Sequence, residues 1–179
     1  MASQDEEFTM LFQEFYPSLC RFLECLLGGR VELAQDLAQE SFLQLHRTAW
    51  ETLPHEQARF WLYRVARNFA INEFRKSHTR YRLFDQVVEV MSPRARNPEQ
   101  EYETQELKQL VHEMLQTLPE HQRTALLLRE QEQLSYREIG QVLNISESKV
   151  KVDIFRARAS LRERLSKLSG ISRVARMGN

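Results

Sequence analysis

Hydrophobic residues recur at helical spacing along most of this chain. Phe8, Leu11, Phe12, Phe15, Leu19, Phe22, Leu23 and Leu26 follow at steps of about three and four, which puts them on one face of an α-helix. Pro17 has no amide hydrogen to give, so it must begin a new helix or kink this one. Gly28-Gly29 ends the segment. A second helix is predicted from about Val31 to Trp50, with Leu33, Leu37, Ala38, Phe42 and Leu45 as its buried stripe. After a loop around Pro54, a third runs from about Gln57 to Ser77, with Leu62, Val65, Ala66 and Phe69 inward. The periodicity then fails. Ser92-Pro93 and Asn97-Pro98 break helices, and Arg94 and Arg96 add charge, so residues 78–101 read as a flexible linker. Within it the apolar piece Leu83 to Met91 is either a short helix or a docking segment. Periodicity resumes in an acidic helix with Leu107, Leu110, Val111, Met114 and Leu115. Pro119 suits the start of the next, which carries Leu126, Leu127 and Leu128. Two short helices follow, the last running to about Leu168, and the polar tail 169–179 reads as disordered. The pattern predicts an all-α chain of two small helical modules, 5–77 and 102–168.

Charge sharpens that division. The 179 residues carry no net charge, but the average conceals blocks. Residues 1–57 carry −7, 58–96 carry +6, 97–134 carry −5 and 135–179 carry +6. Each basic block can face a polyanion while each acidic block faces something else. No apolar run reaches the roughly 20 residues needed to cross a bilayer, so no membrane insertion is expected. The acidic start, Met1 to Glu7, has no signal-peptide pattern, which predicts a cytoplasmic protein. Cys20 and Cys25 match no metal-binding spacing and lie in an apolar stretch, where they read as reduced core residues. The five histidines form no ligand cluster. Neither a metal nor a cofactor is expected, and no nucleophile–base pair or phosphate loop suggests catalysis.

The sharpest local signal runs from Leu134 to Leu161. Ser135 is a good N-cap, and Glu138 three residues on completes a capping box. Ile139, Val142 and Leu143 point inward, and Gly140 allows a second helix to pass close by. Asn144 tolerates the left-handed conformation that the turn requires. Ser146 caps a second helix that buries Val150 and Ile154. This is a helix-turn-helix, whose second helix enters the DNA major groove. Lys149, Lys151, Arg156 and Arg158 suit phosphates or guanine edges, and Arg162, Arg164 and Lys167 prolong the basic run.

The first module carries two further patterns. Asp36, Gln39, Glu40 and Leu43, at i, i+3, i+4 and i+7, form a stripe apart from the buried one and suited to docking a partner helix. The third helix combines Arg64, Arg67, Asn68, Asn72, Arg75 and Lys76 with Phe60, Trp61 and Tyr63 near its start. Cationic and amide groups among aromatics suit DNA strands with partly unstacked bases.

In order, AQDLAQESFLQLHR, FWLYRVARNFAINEFRK, LPEHQRTALLLRE and LSYREIG…KVKVDIFRARASLRERL resemble the extracytoplasmic-function sigma factors of the sigma-70 family, over about residues 8–168. The resemblance implies a transcription initiation factor whose partners are core RNA polymerase and promoter DNA. The module 5–77 would be the helical bundle of sigma region 2, and 102–168 the helix-turn-helix of region 4. Asp36, Gln39, Glu40 and Leu43 would grip the β′ clamp helices, and the β subunit would be a second polymerase contact. The loop from Glu51 to Gln57 would capture a flipped base of the −10 element. Trp61, Arg64, Arg67, Asn68, Asn72, Arg75 and Lys76 would contact that element and help melt it. The linker would thread toward the RNA exit path. The −35 element would meet Arg137, Ser146, Ser148, Lys149, Lys151, Val152, Phe155 and Arg156. An anti-sigma factor is a further partner that the resemblance allows. The chain departs from the family pattern at Ser148, where glycine is usual, and at Val152, where serine is common. Asp153 replaces a common basic residue; on the DNA face it would accept from cytosine N4 and repel phosphate. Gly140 in place of a common alanine is a mild change. Two other classes compete: a free-standing, dimeric helix-turn-helix activator, against which the basic third helix speaks, and a helical adaptor that binds no DNA, against which the paired basic blocks speak.

Overall fold

The computed structural model describes the backbone of residues 4–50, 52–83 and 99–177, and the side chains of 5–50, 52–54, 56–76 and 104–167. These residues form seven helices: α1 (Gln4–Leu26), α2 (Val31–Thr48), α3 (His55–Leu83), α4 (Glu99–Gln116), α5 (Glu120–Glu130), α6 (Tyr136–Leu143) and α7 (Glu147–Met177). No strand occurs among the described residues.

The first module packs α1 against α2 and α3. Leu11, Leu19, Phe22, Leu23 and Leu26 of α1 are buried, as the periodicity requires. Pro17 lies inside α1 and does not divide it. A proline within a helix costs about 3 kcal/mol, and each large apolar side chain buried beside it returns about 1.5–3 kcal/mol. The buried set of α2 is Ala34, Ala38, Ser41, Phe42 and Leu45, while Leu33 and Leu37 pack against the core from its margin. Ser41 satisfies its buried hydroxyl by donating to the Leu37 carbonyl at 2.7 Å. Phe8 meets Phe42, His46 and Trp50 edge-on, closing the bundle at one end.

In the second module α5 packs on α7, and α6 on both. Leu126, Leu127 and Leu128 of α5, Ile139, Val142 and Leu143 of α6, and Val150, Ile154 and Ala157 of α7 fill its interior. Both cysteines are free and half-buried, and burial pushes their thiols up from the usual cysteine range.

Two sequence expectations change, and one feature was not anticipated. The third helix runs on to Leu83 and the fourth begins at Glu99, so helix enters both ends of the span 78–101; residues 84–98 lie outside the described residues. The tail expected to be disordered from 169 is helical to Met177, because no proline interrupts 169–177 and one interior glycine costs only about 1 kcal/mol. Finally, the two modules pack against each other. Helix α1 touches α4 and α5, α3 touches α6, and the buried side chains of both modules form one connected cluster.

Candidate nucleic-acid interface

The helix-turn-helix is built as its residues dictate. The Ser135 hydroxyl accepts from the Glu138 amide at 3.2 Å, and Glu138 Oε2 accepts from the Ser135 amide at 2.7 Å. The hydroxyl and amide of Ser135 hold the Glu138 carboxyl below its usual range. Asn144 ends α6 in the left-handed region at φ 54°, and the Ile145 amide donates to the Gly140 carbonyl at 3.0 Å. A Cβ at Gly140 would stand 2.8 Å from the Ile145 carbonyl oxygen, so the glycine is required by the turn as much as by the crossing helix. Gly140→Ala is therefore expected to destabilise the protein. Alanine gains about 1 kcal/mol of helix propensity, but crowding a main-chain oxygen costs about 1–3 kcal/mol. A net loss of about 1 kcal/mol should lower Tm by about 2–4 °C in a thermal melt.

The Ser146 hydroxyl accepts from the Lys149 amide at 3.3 Å and caps α7. Beyond the cap, Ser148, Lys149, Lys151, Val152, Phe155 and Arg156 are all exposed, as are Ser146 and Arg137. Phe155 is 71% exposed, an unusual setting for a phenylalanine that has no surface role. Lys151 pairs with Glu147 at 2.7 Å and lies over the Tyr136 ring. The hydrogen bond to Glu147 raises its pKa, which keeps it cationic.

Asp153 is not on this face. It is fully buried, bonded to Lys149 and 3.7 Å from His121 of α5, so it neither reads cytosine nor faces phosphate. Its place in the helix puts it on the same side as Val150, Ile154 and Ala157, toward α5.

In the first module, Asp36, Gln39, Glu40 and Leu43 are exposed together along α2, with Leu43 47% exposed. Gln39 reaches the Tyr16 hydroxyl at 3.4 Å. Along α3, Asn68, Asn72, Arg75 and Lys76 are exposed and Trp61 is half-buried. Leu53, Glu56, Gln57, Phe60, Trp61 and Arg64 line an open groove of about 330 Å³, which Gln141 of α6 completes. Glu51 and the His55 side chain, in the same loop, lie outside the described residues. Tyr63 does not join these aromatics. It is fully buried, edge-on to Phe22, and its hydroxyl donates to Glu132 and lies 3.1 Å from the Ser18 hydroxyl. Burial first, and the Glu132 carboxylate second, push its pKa far up.

Arg64 and Arg67 are engaged within the chain. Arg64 donates to the main-chain carbonyls of Gln141, at 2.5 Å, and Val142, at 3.3 Å. Arg67 grips the Glu120 carboxylate with two bonds of 2.8 Å. Beside them Arg59 donates to the Glu132 carbonyl at 2.6 Å and lies 3.5 Å from its carboxylate. The residues that meet the arginines, Glu120 and Glu132, went unread in the sequence. Their only signal is the acidic block 97–134 that follows the basic block 58–96.

Two family models match, Sigma-70 region 2 over residues 11–80 and Sigma-70, region 4 over residues 108–161. ECF RNA polymerase sigma factor SigM of Bacillus subtilis is 30% identical over 155 residues, covering 85% of this chain and 91% of that protein. This chain belongs to the extracytoplasmic-function sigma factors. RNA polymerase sigma-H factor of Pseudomonas aeruginosa is 34% identical over 143 residues, or 75% of this chain and 74% of that one. In fold, the chain is similar to the sigma factor RpoE of Bartonella quintana, solved with the anti-sigma factor NepR, at a TM-score of 0.71 and 23% identity. That match covers 89% of this chain and 96% of that one. As a sigma factor the protein is a transcription initiation factor, and regions 2 and 4 are the parts that recognise the −10 and −35 promoter elements. The region 4 match spans the helix-turn-helix, and the region 2 match spans most of α1, all of α2 with its exposed stripe, and α3 as far as residue 80 with its arginines.

Proposed function

We propose that this sigma factor docks on core RNA polymerase through Asp36, Gln39, Glu40 and Leu43. From there it reads the −10 element with α3 and the −35 element with the start of α7. The observation that carries this reading is the exposure of two distinct surfaces, each combining polar or charged groups with an uncovered apolar side chain, Leu43 on one and Phe155 on the other. One is the mixed stripe on α2. The other is the face of α7 bearing Lys151, Val152, Phe155 and Arg156. The open groove at Trp61 fits an extruded base, with an aromatic wall for stacking and Gln57 for hydrogen bonding. The exposed amides of Asn68 and Asn72 lie further along the same helix.

The work is done by binding alone. Among the described residues no group of three or more histidine, cysteine or acidic side chains is placed to hold a metal ion. No described helix is long and apolar enough to cross a membrane; on this reading the site of action is the polymerase. Polymerase fixes the spacing of the two DNA-reading surfaces, so engaging one element raises the effective concentration of the other contact. An extruded base costs a few kcal/mol to unstack, and stacking on Trp61 at about 1–3 kcal/mol offsets part of that.

Asn68→Ala tests the −10 assignment. It should slow open-complex formation on a promoter about five- to tenfold, the loss of about one hydrogen bond. Affinity for core polymerase should stay at the parent value. Permanganate reactivity of unpaired thymines reports the first and co-elution the second. Equal losses in both would remove Asn68 from the DNA face.

A further inference from the structure

We propose that the second module is a built-in competitor of the promoter for the arginines of the first. The seam between the modules places anion-like acceptors on the cationic groups assigned to the −10 element, and to that extent the inference rests on the assignment above. Arg67 meets the Glu120 carboxylate through two parallel 2.8 Å bonds, the geometry in which a guanidinium also takes a phosphate. Glu120 is itself fixed by the Thr124 hydroxyl at 2.8 Å. Arg64 spends its donors on the last carbonyls of α6. Gln141, from the same end of α6, forms part of the wall of the groove beside Trp61. An incoming strand meets two of those groups, Arg64 and Arg67, already occupied, and finds α6 walling the groove at Trp61.

The seam is built to open. The Arg67–Glu120 pair is partly exposed, at 18% and 29%, so water and salt screen it. Polar contacts surround it. Gln116 donates to the Cys25 and Leu26 carbonyls at 3.3 and 3.1 Å, and Arg123 lies over the Phe74 ring at 5.4 Å. Meanwhile the α2 stripe stays uncovered in the closed arrangement. Polymerase can therefore dock before the seam parts, and DNA affinity appears only afterwards. In the free protein, affinity for a strand is lowered by the fraction of molecules that are open.

The test uses the full-length chain without polymerase, a fluorescein-labelled random-sequence single-stranded DNA of about 20 nucleotides, and small-angle scattering. Glu120→Arg sets like charges against Arg67. Glu106→Arg, an exposed position on α4, makes the same change in net charge away from the seam. Glu120→Arg should expand the protein and tighten DNA binding about tenfold or more over the parent, while Glu106→Arg stays compact and within about threefold. Should Glu120→Arg fold poorly, Glu120→Gln against Glu106→Gln makes the same comparison, with a gain of about threefold expected at Glu120 alone. Equal affinities for the two members of a pair would overturn the proposal, as would expansion without tighter binding. Adding Arg67→Ala to Glu120→Arg should return affinity to the Glu106→Arg level. If the gain survives that change, Arg67 is not a DNA contact, and the proposal falls through the −10 assignment with the seam itself intact.

Discussion

Asp36→Arg is expected to weaken binding to core RNA polymerase about 10- to 100-fold while leaving the fold unchanged. Asp36 is exposed on α2, so no packing is lost on substitution. Its neighbours along the stripe, Gln39 and Glu40, are exposed as well, and Leu43 gives the patch an apolar centre. A carboxylate in such a place complements a basic partner, and reversing it sets like charges across the contact. That costs several kcal/mol when water is excluded and less at a rim. Titration of labelled polymerase gives the affinity, and a thermal melt gives the control. Unchanged polymerase binding by a folded variant would make the stripe an ordinary wet face.

Arg156→Ala is expected to cost about 1–3 kcal/mol of holoenzyme binding to promoter duplex carrying the −35 element, about 5- to 150-fold. Arg156 is exposed beside Phe155, one turn beyond Val152. Lys151 is already paired with Glu147, and Lys149 with the buried Asp153, so Arg156 is the cation of this face best placed to meet a base edge. The loss should shrink on DNA with a scrambled −35 element. A uniform loss on every duplex, with a salt slope lower by about one, would mean that Arg156 holds phosphate only.

The helix-turn-helix was readable because its instructions are local. Ser135 and Glu138 are three residues apart, Gly140 and Asn144 four, and each acts through the backbone of the turn that contains it. The helices of the first bundle were readable from period, apart from Pro17, whose cost is met by packing that no window of sequence contains, and from the inner face of α3, where Ala58, Tyr63 and Ala70 are buried and the expected Val65 and Phe69 are only half-buried. The seam between the modules was not readable. Arg67 and Glu120 lie 53 residues apart, and Tyr63 and Glu132 lie 69 apart. Nothing in their neighbourhoods distinguishes them from solvated charges or surface aromatics. Only the alternation of acidic and basic blocks hinted at it, and that alternation pointed outward, to polyanions, as readily as inward. Asp153 misled for the opposite reason. It stands in a segment rich in DNA-binding residue types, but helical phase turns it to the core with Val150, Ile154 and Ala157.

The contacts of Arg64 are to main-chain oxygens of α6, at Gln141 and Val142, and so survive any change of side chain at those positions that keeps the helix. Among the described residues, the exposed residues of α7, Lys151, Val152, Phe155 and Arg156, make no hydrogen bond or ion pair with the first module. On the proposed reading of α7, a lineage can therefore rewrite its promoter vocabulary there without disturbing how the two halves close. Duplicated copies of such a gene are free to diverge in the genes they switch on while inheriting the closure unchanged. Transplanting the exposed face of α7 between relatives should thus move promoter choice as a separable trait.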